Sequence, residues 1–287
     1  MCSDCGCGDP DVVPLEVQER ILSDNDRTAA HNRAHFVEAG VLAINLMGSP
    51  GAGKTAVLEA TARAAAGRLH LGAVSGDLAT DNDARRLTAA GVPSASITTG
   101  SACHLDARLV HHALHDVAWR ELDVFFIENV GNLVCPAVYD LGQAFNVVAL
   151  SVTEGEDKPI KYPVMFRKAD LVLLTKVDLL PYLGVSVAAI EDGLARVMPE
   201  PRMIQVSART GEGIDAWLRW LEERRPPRPA AGARGHDHDH GHGHGHGHGH
   251  GHDHGHDHDH DHDHDHRREP GHHHHHHHHA GGHDHDG

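Results

Sequence analysis

Short apolar runs alternate with segments of helical periodicity along most of this chain of 287 residues. The runs are rich in Val, Ile and Leu and are bounded by turn-forming residues, which predicts buried strands. These strands are expected at Val41 to Met47, His70 to Ser75, Ser96 to Thr98, Val124 to Ile127, Val147 to Val152, Leu171 to Thr175 and Met203 to Val206. The helices between them are expected near Lys54 to Ala66, Asp83 to Ala90, Asp106 to Trp119, Tyr162 to Lys168, Val187 to Val197 and Ile214 to Arg224. Regular alternation of this kind predicts an α/β fold with a mostly parallel sheet and helices on both faces.

Further segments flank this pattern at both ends. A long helix is predicted over Val17 to Ala39, where good helix formers accompany apolar positions at helical spacing. Those positions are Val17, Ile21, Leu22, Ala29 and Ala30. Pro226, Pro227 and Pro229 are expected to end the folded domain, because the residues after them contain almost no apolar side chains. The predicted organisation is a Cys-rich terminus (1–10), a leading helix (11–40), an α/β domain (41–225), a linker (226–235) and a disordered tail (236–287).

The charge of the chain excludes some classes of function. The net charge is −16, and residues 232–287 contribute −8 of it, from ten Asp and one Glu against three Arg. An acidic balance of this size argues against binding to nucleic acid. No apolar stretch is long enough to span a bilayer, and the acidic, Cys-rich N-terminus is unlike a secretory signal. The sequence therefore predicts a cytoplasmic protein that does not bind membranes.

Histidine dominates the tail, where residues 236–287 hold 26 of the 33 histidines. They alternate with Gly and Asp and then form the unbroken run His272 to His279. Neutral imidazole is a strong ligand for Ni²⁺, Cu²⁺ and Zn²⁺, and a flexible tail lets several rings converge on one ion. A purification tag would explain only that run, because sixteen histidines precede it and residues 280–287 follow it. We interpret the tail as a metal-binding segment whose ion the composition does not identify.

Three of the five cysteines, Cys2, Cys5 and Cys7, are crowded at the N-terminus. They are too close together for a disulfide framework, and Gly6 lets the backbone fold tightly enough for three thiolates to meet one ion. Removal of Met1 would add the free amine of Cys2, and three sulfurs with one nitrogen match the square-planar geometry that Ni²⁺ favours. A tetrahedral Zn²⁺ site is the competing interpretation.

A phosphate-binding loop is predicted directly after the first strand. The segment Gly48-Ser49-Pro50-Gly51-Ala52-Gly53-Lys54-Thr55 follows an apolar strand and opens an Ala-rich helix, as a P-loop requires. The glycines let backbone N–H groups surround the phosphates, Lys54 reaches the β and γ oxygens, and the Thr55 hydroxyl binds Mg²⁺. The nucleotide-binding residues expected here are Gly48, Gly51, Ala52, Gly53, Lys54 and Thr55.

The base of the nucleotide is predicted from two later strand ends. Leu173-Leu174-Thr175-Lys176-Val177-Asp178 carries an Asp carboxylate that could accept from both N1–H and the exocyclic amine of guanine, whereas adenine offers no matching pair of donors. A Lys-x-Asp sequence alone is a weak signal, but this one lies downstream of a P-loop and is followed by Ser207-Ala208 at another strand end. The sequence therefore predicts GTP or GDP as the ligand, contacted by Thr175, Lys176, Asp178, Ser207 and Ala208.

Two acidic residues are candidates to complete the Mg²⁺ site with Thr55. Asp77 and Glu128 both end predicted strands, and the carboxyl ends of strands face the ligand in sheets of this kind. The alternative for Glu128 is a capped strand end. Lys54, Asp77 and Glu128 are the candidate catalytic residues, and the sequence identifies no catalytic base.

The other two cysteines give a second candidate metal site. Cys103 and His104 are adjacent in a predicted loop, and Cys135 follows Glu128 by seven residues. A lone cysteine is more often a small buried apolar residue, but an adjacent Cys-His pair in a loop favours a ligand role, for Ni²⁺ or Zn²⁺. His111 and His115 are four residues apart on one helix face, and we interpret them as part of a solvated helix surface.

Together these motifs resemble the HypB family, the nickel-insertion GTPases of hydrogenase maturation. The resemblance runs from Cys2 to about Arg224. Its matching segments are Cys2 to Cys7, the P-loop, Gly76-Asp77-Leu78-Ala79-Thr80-Asp81, the Cys103-His104 pair, Glu128 to Pro136 and Ser151 to Pro159. The resemblance implies a G domain of the SIMIBI class that forms homodimers with nucleotide or metal, and it implies a nickel-storage role for the tail.

The same resemblance implies roles for the metal sites and for partner proteins. It assigns the terminal cysteines to a tight nickel site, and Cys103, His104 and Cys135 to a weaker site linked to the nucleotide. It implies that GTP hydrolysis times the delivery of Ni²⁺ to the hydrogenase large subunit, together with the zinc-containing partner HypA. Two alternatives stay open: a urease-type accessory GTPase, whose family carries Cys-Pro-His where this chain has no proline before His104, and a non-enzymatic nickel store, against which the intact P-loop argues.

A division of labour between the tail and the N-terminus follows from this organisation. Deleting residues 235–287 should remove most bound Ni²⁺ equivalents but leave GTPase activity and one tight site, because the tail is predicted to be separate from the G domain. Substituting Cys2, Cys5 and Cys7 by Ala should spare the capacity and remove the tightest site. Metal titration of the three proteins measures both quantities, and loss of the tight site on tail deletion would show that this assignment is wrong.

Overall fold

A single parallel sheet forms the centre of the molecule. The computed structural model describes residues 15–77, 80–100 and 102–228, with side chains described from residue 20 onward. Its strands are β1 (Leu42–Gly48), β2 (Leu71–Asp77), β3 (Ser94–Thr98), β4 (Val124–Glu128), β5 (Phe145–Ser151), β6 (Leu171–Thr175) and β7 (Met203–Val206). All pairings between these strands are parallel, in the order β3-β2-β4-β1-β5-β6-β7. The predicted fold class is confirmed, and each predicted strand lies within two residues of an observed one.

The helices occupy the connections between the strands. They are α1 (Leu15–Ala39), α2 (Lys54–Ala65), α3 (Asn82–Ala89), α4 (Ala107–Ala113), α5 (Lys158–Lys161), α6 (Pro163–Arg167), α7 (Val187–Val197) and α8 (Ile214–Arg224). Short 3₁₀ turns lie at Leu114–Asp116, Trp119–Glu121, Cys135–Ala137, Val152–Glu154 and Val177–Tyr182. No helix among the described residues is long and apolar enough to cross a membrane.

Apolar side chains cover the sheet on both faces. Leu42, Ile44 and Leu46 of β1 pack with α2 and α8, where Trp217 is fully buried. On the opposite face, one apolar cluster joins the strands to α1 and α4, and another joins them to α6 and α7. Alternate residues of a strand point to opposite faces, so a strand that is apolar on both sides is typical of a sheet covered by helices on both sides.

The buried face of α1 differs from the predicted one. Ile21 is 49% exposed and Ala30 is exposed, whereas the residues that pack inward are Asn25, Ala29, Asn32 and Phe36. Asn32 is fully buried, and its Nδ2 donates to the carbonyl oxygens of Ala107 at 2.8 Å and Leu141 at 3.2 Å. A buried amide that makes its hydrogen bonds is as well placed as an apolar side chain. Hydrophobic periodicity therefore identified Ala29 but missed Asn25 and Asn32, because the buried amides are not apolar.

One predicted helix is interrupted, and another, expected over Tyr162 to Lys168, is confirmed within one residue at each end. The helix expected over Asp106 to Trp119 ends at Ala113 and continues as separate 3₁₀ turns, and the one expected over Tyr162 to Lys168 begins at Pro163, directly after α5. Proline has no N–H and is favoured in the first turn of a helix, which explains why α5 and α6 are separate. The predicted cysteine terminus (1–10), tail (236–287) and most of the linker (226–235) lie outside the described residues.

Candidate nucleotide and metal site

The predicted P-loop connects β1 to α2 at the carboxyl edge of the sheet. Gly48 approaches β5 so closely that a Cβ atom would lie 2.5 Å from the carbonyl oxygen of Ala149. Gly53 has φ 92°, in the left-handed region that favours glycine, and directly precedes α2. The loop thus turns sharply into the N-terminus of a twelve-residue helix, where free N–H groups and the helix dipole favour a phosphate.

Lys54 folds back across this loop and is buried. Its Nζ lies 3.4 Å from the carbonyl oxygen of Gly48 and 3.3 Å from that of Ser49, which are long hydrogen bonds for an ammonium group. Burial lowers the pKa of Lys54, against the opposing charges of Glu128, Asp83 and Glu154. A buried cation with only long contacts to neutral oxygens is well suited to receive an anionic oxygen of a nucleotide.

Glu128 lies at the centre of the site and is 2% exposed. The Thr55 hydroxyl donates to its Oε1 at 2.6 Å, and the Ser75 hydroxyl donates to its Oε2 at 3.2 Å. Burial raises the pKa of this carboxyl, although both hydrogen bonds and Lys54 favour the ionised form. A hydroxyl and a carboxylate in direct contact form the oxygen donor set that Mg²⁺ prefers, so these residues fit the ion expected with a nucleotide.

Asp77 ends β2 on the strand next to Glu128. Ser75 is paired with Glu128 in register, so Asp77 lies two residues further along the neighbouring strand. It accepts a hydrogen bond from the Thr80 hydroxyl at 2.9 Å and is partly exposed. The two predicted acidic residues thus lie at the same edge of the sheet but in different surroundings, since only Glu128 is buried against the P-loop helix.

The predicted base-recognition residues lie at or just after the ends of β6 and β7, and two of them contact the P-loop. Thr175 Oγ1 donates to the carbonyl oxygen of Ala52 at 2.6 Å, and Lys176 Nζ donates to that of Gly51 at 2.7 Å. The Ser207 hydroxyl donates to Asp178 Oδ1 at 2.7 Å, which leaves Oδ2 next to Arg209 at 3.5 Å. Ala208 follows in the same loop. Ser207 therefore orients the carboxylate that would read the base.

Two acidic residues of the site were missed by the sequence analysis. Glu154 accepts hydrogen bonds from the Ser49 hydroxyl of the P-loop and, at 2.9 Å, from the N–H of Ser151. Asp83 raises the pKa of both Lys54 and Glu128 through its charge. Glu154 belongs to the segment Ser151 to Pro159, which carries part of the family resemblance, so this segment could have identified Glu154 as a site residue. Asp83 lies in the first turn of α3, where an acidic residue is commonly explained by the helix dipole.

Cys103, His104 and Cys135 come together as predicted. The two Sγ atoms are 3.0 Å apart, the Cys103 Sγ lies 3.8 Å from His104 Nδ1, and one ligand atom from each residue lies within 4.8 Å of the others. The ring of Tyr139 stacks on that of His104 with centroids 3.9 Å apart and an angle of 18°. We call these three ligand residues the Cys-His-Cys triad. Two thiols and an imidazole are a donor set for Ni²⁺ or Zn²⁺.

The electrostatics of the triad keep the imidazole neutral and the Cys135 thiol protonated, so a bound ion has to displace the proton of that thiol. Burial is the main cause that lowers the pKa of His104, so its imidazole stays neutral and can act as a ligand. The hydrogen bond from Cys103 is the main cause that raises the pKa of the Cys135 thiol, with burial and the charge of Cys103 adding to it. Two thiolates this close repel each other, and a bound cation removes that repulsion.

One short segment connects the triad to the P-loop. It runs from Glu128 to Cys135, and we call it the connecting segment. Its Asn129 Oδ1 accepts from the N–H of Leu105 at 3.2 Å, next to His104. Further along, the N–H of Asn132 donates to the carbonyl oxygen of Gly48 at 3.1 Å. A Cβ on Gly131 would lie 2.8 Å from the backbone nitrogen of Pro50. The same backbone thus contacts both candidate sites.

The remaining predicted metal ligands cannot be compared with this geometry. Cys2, Cys5, Cys7 and the histidines of residues 236–287 lie outside the described residues.

Comparisons with known proteins identify relatives of a large part of this chain. Residues 42–205 match the family model described as "CobW/HypB/UreG, nucleotide-binding domain". The hydrogenase maturation factor HypB of Azotobacter vinelandii is 51% identical over 214 residues, which are 75% of this chain and 71% of the relative.

Two solved structures are similar in fold at 37% sequence identity and a TM-score of 0.66. One is HypB from Helicobacter pylori, solved in complex with nickel; the match covers 100% of that chain and 72% of the present chain. The other is the hydrogenase maturation factor HypB from Archaeoglobus fulgidus; the match covers 98% of that chain and 70% of the present chain. A body of this size therefore folds in relatives without the rest of the present chain.

Replacing Glu128 by Gln should stabilise the nucleotide-free protein and weaken nucleotide binding in the presence of Mg²⁺. The pKa of Glu128 is raised above 4.5, so its ionised form destabilises the folded state at neutral pH, and this penalty disappears below pH 4.5. Glu128→Gln should raise the free energy of unfolding by about 0.5 to 2 kcal/mol, measured by urea denaturation without nucleotide.

The control for this prediction is Glu191→Gln on α7, an exposed position that should change neither quantity. A Glu128→Gln protein that is less stable than the parent at neutral pH, yet equally stable below pH 4.5, would contradict the prediction.

Proposed function

The chain belongs to the CobW/HypB/UreG family, and within it to the HypB hydrogenase maturation factors, and we propose that it uses GTP hydrolysis to control the delivery of Ni²⁺ to nickel-iron hydrogenase. The observation that carries the proposal is the connecting segment between the P-loop and the Cys-His-Cys triad. A nucleotide site and a metal site that share one backbone segment are suited to a protein whose nucleotide state sets its affinity for a metal ion.

Guanine specificity is supported by the position of Asp178. The loop that carries it is held against the P-loop by Thr175 and Lys176, and Ser207 holds one of its carboxylate oxygens. An oriented carboxylate can accept two hydrogen bonds from guanine, whereas adenine would leave it unpaired. We therefore propose GTP and GDP as the nucleotides.

The phosphate end supports hydrolysis of the bound GTP. Lys54 would lie along the β and γ phosphates and stabilise the charge that builds up on them. Thr55 and Glu128 would hold Mg²⁺, with Asp77 as a further acidic residue at the same edge, and the ion would supply charge neutralisation between the phosphates. Removing the cation by Lys54→Ala should remove turnover, since no other described lysine or arginine donates to the P-loop carbonyls of Gly48 and Ser49.

Ni²⁺ is proposed as the cargo of the triad, with Zn²⁺ as the competing ion. Thiolate and imidazole ligands suit both ions, so the donor set does not select between them. The solved Helicobacter pylori relative contains nickel, which favours Ni²⁺ here. Hydrolysis would then act as a timer, because the GTP and GDP states would hold the connecting segment differently and so change the metal affinity.

Partner proteins are proposed from the same site and from family membership. Val134 and Val138 flank Cys135 and are 53% and 52% exposed, so apolar surface lies beside the metal ligands. Exposed apolar surface of this kind marks many protein contacts. We propose that the chain forms homodimers with nucleotide or metal, receives or passes Ni²⁺ with HypA, and acts on the hydrogenase large subunit in the cytoplasm.

The ends of the chain have proposed roles of their own. The cluster of Cys2, Cys5 and Cys7 would form the tight nickel site, and the histidines of residues 236–287 would store the ion. A urease-type accessory role is the alternative within the family, and the absence of a proline between Cys103 and His104 disfavours it. A nickel store without enzymatic activity is the other alternative. A GTP turnover assay tests it, because GTP hydrolysis by the purified protein would exclude a purely non-enzymatic store.

Asp178→Asn should exchange guanine for xanthine specificity. An amide donor suits the 2-oxo group of xanthine, where a carboxylate suits the amine of guanine, so affinity for GTP should fall by about two to four powers of ten while xanthosine triphosphate gains. Competition of the two nucleotides against a fluorescent GTP analogue measures the exchange.

Ser207→Ala is the matched control for that exchange, since it removes the hydroxyl that orients Asp178 and that also accepts from the N–H of Thr210 at 3.1 Å, and leaves the carboxylate in place. It should weaken GTP binding without creating a preference for xanthine. Unchanged preference for GTP in Asp178→Asn would refute the proposed base recognition.

Metal affinity of the triad should depend on the bound nucleotide. In a protein without the terminal cysteines and the tail, Ni²⁺ affinity should differ by about 5- to 150-fold between GDP and a non-hydrolysable GTP analogue, the usual range for coupled sites. Cys103→Ala, His104→Ala and Cys135→Ala should each weaken this site and impair hydrogenase maturation without abolishing GTP binding. Calorimetric titration measures both affinities, and equal Ni²⁺ affinities in the two states would reduce the triad to a passive site.

A further inference from the structure

Four histidines meet on the surface where α1 packs against α4. His31 and His35 are four residues apart on α1, and His111 and His115 are four residues apart on α4 and the turn that follows it. The ring centroids of His31 and His35 are 4.3 Å apart, those of His31 and His111 are 5.2 Å apart, and those of His111 and His115 are 5.7 Å apart. We call this group the four-histidine cluster. His115 is exposed, as expected for a solvated helix surface, whereas His111 is half-buried against α1.

The buried amide of Asn32 sets the tautomer of His111. Asn32 Nδ2 donates to two backbone carbonyls, which leaves its Oδ1 as the acceptor that faces His111 Nδ1 at 3.0 Å. His111 must therefore carry its proton on Nδ1, and Nε2 of the neutral ring keeps its lone pair. Metal-binding histidines are commonly oriented in this way, by a hydrogen bond from the ring nitrogen that does not bind the ion.

The α1 pair already has the spacing that one ion requires. The Nε2 atoms of His31 and His35 are 2.9 Å apart. Two imidazole nitrogens bound to a common ion at about 2.0 to 2.1 Å are separated by roughly 3 Å, and histidines at i and i+4 of a helix are a frequent metal-binding pair. The rings of His35 and His111 are further apart, with centroids 6.2 Å from each other, so the third ring reaches the same ion only after side-chain rotation.

The charges at the cluster keep it in a ligand form. Burial is the main cause that lowers the pKa of His111, and the neighbouring rings of His31, His115, His35 and His112 lower it further. Imidazoles this close cannot all be protonated without repulsion, so the neutral form of His111 is favoured. Neutral imidazole is the form that binds a transition metal.

We propose that the four-histidine cluster is a further binding site for a divalent transition-metal ion, Ni²⁺ or Zn²⁺, held by His31, His35 and His111. The bound ion would join α1 to α4. Because α4 begins three residues after His104, the ion would fix the helix whose other end adjoins the Cys-His-Cys triad. The site is independent of the cysteines, of the tail and of the nucleotide, so it does not rest on the proposed function.

Metal titration of a shortened chain tests this site without interference from the other ligands. The chain would comprise residues 11–228 with Cys103→Ser and Cys135→Ser, a part close in extent to the solved relative that 72% of this chain covers completely. Calorimetry with NiSO₄ and, separately, with ZnCl₂ should find one bound equivalent. His31→Gln with His35→Gln should lose that equivalent or bind it at least about tenfold more weakly.

His112→Gln is the matched control. His112 is exposed on the same helix, its ring stands 6.2 Å from that of His111, and it is not one of the three proposed ligands. This variant should bind the ion like the parent. A second readout is thermal unfolding, whose midpoint should rise with the ion in the parent and the control but not in the double variant. A parent that binds neither ion, a double variant that binds like the parent, or a control that loses the ion would each overturn the proposal.

Discussion

The buried carboxylate of Glu128 is the constraint on which the site depends. A carboxylate that is 2% exposed needs partners, and Thr55, Ser75 and the ammonium group of Lys54 supply them from two neighbouring elements, α2 and β2. The partners are at hand because β4 pairs with both β1 and β2 in parallel, so that the carboxyl ends of the three strands lie together. These charged groups compensate one another only in part, since burial shifts the pKa of Glu128 upward and that of Lys54 downward. A nucleotide with its metal ion would complete the compensation.

The position of the metal triad follows from the same strand. The chain that leaves Glu128 contacts the P-loop at Gly48 and Pro50 before it reaches Cys135, and Asn129 ties it to the backbone beside His104. A shift of Glu128 towards a bound ion would therefore move a backbone that also holds metal ligands. This is a physical route for coupling two sites, and it needs no rearrangement of the sheet.

The sheet and the ligand-binding loops were predictable from the sequence because each rests on a local pattern. Apolar runs bounded by turn residues identified the strands, and the spacing of Gly48, Gly51, Gly53 and Lys54 identified the P-loop. The amides on the inward face of α1 were not predictable in this way, because Asn25 and Asn32 are buried through hydrogen bonds to groups about 75 to 115 residues away. The four-histidine cluster was missed for a related reason. His111 and His115 gave only a helical spacing, and the residues that give this spacing a meaning lie on α1, in a distant part of the sequence.

The most direct test of the central claim is the affinity of the protein for a non-hydrolysable GTP analogue, measured with and without Ni²⁺. The measurement compares the parent chain with Asn129→Ala, and both proteins lack the terminal cysteines and the tail. Coupling between sites is reciprocal, so a nucleotide that alters metal binding must itself be bound differently when metal is present. We expect Ni²⁺ to change the nucleotide affinity of the parent by about 5- to 150-fold, and to change that of Asn129→Ala by much less, while the variant still binds each ligand alone. An equal effect of Ni²⁺ in the two proteins, or no effect in the parent, would contradict the claim that the segment from Glu128 to Cys135 joins the nucleotide site to the metal site.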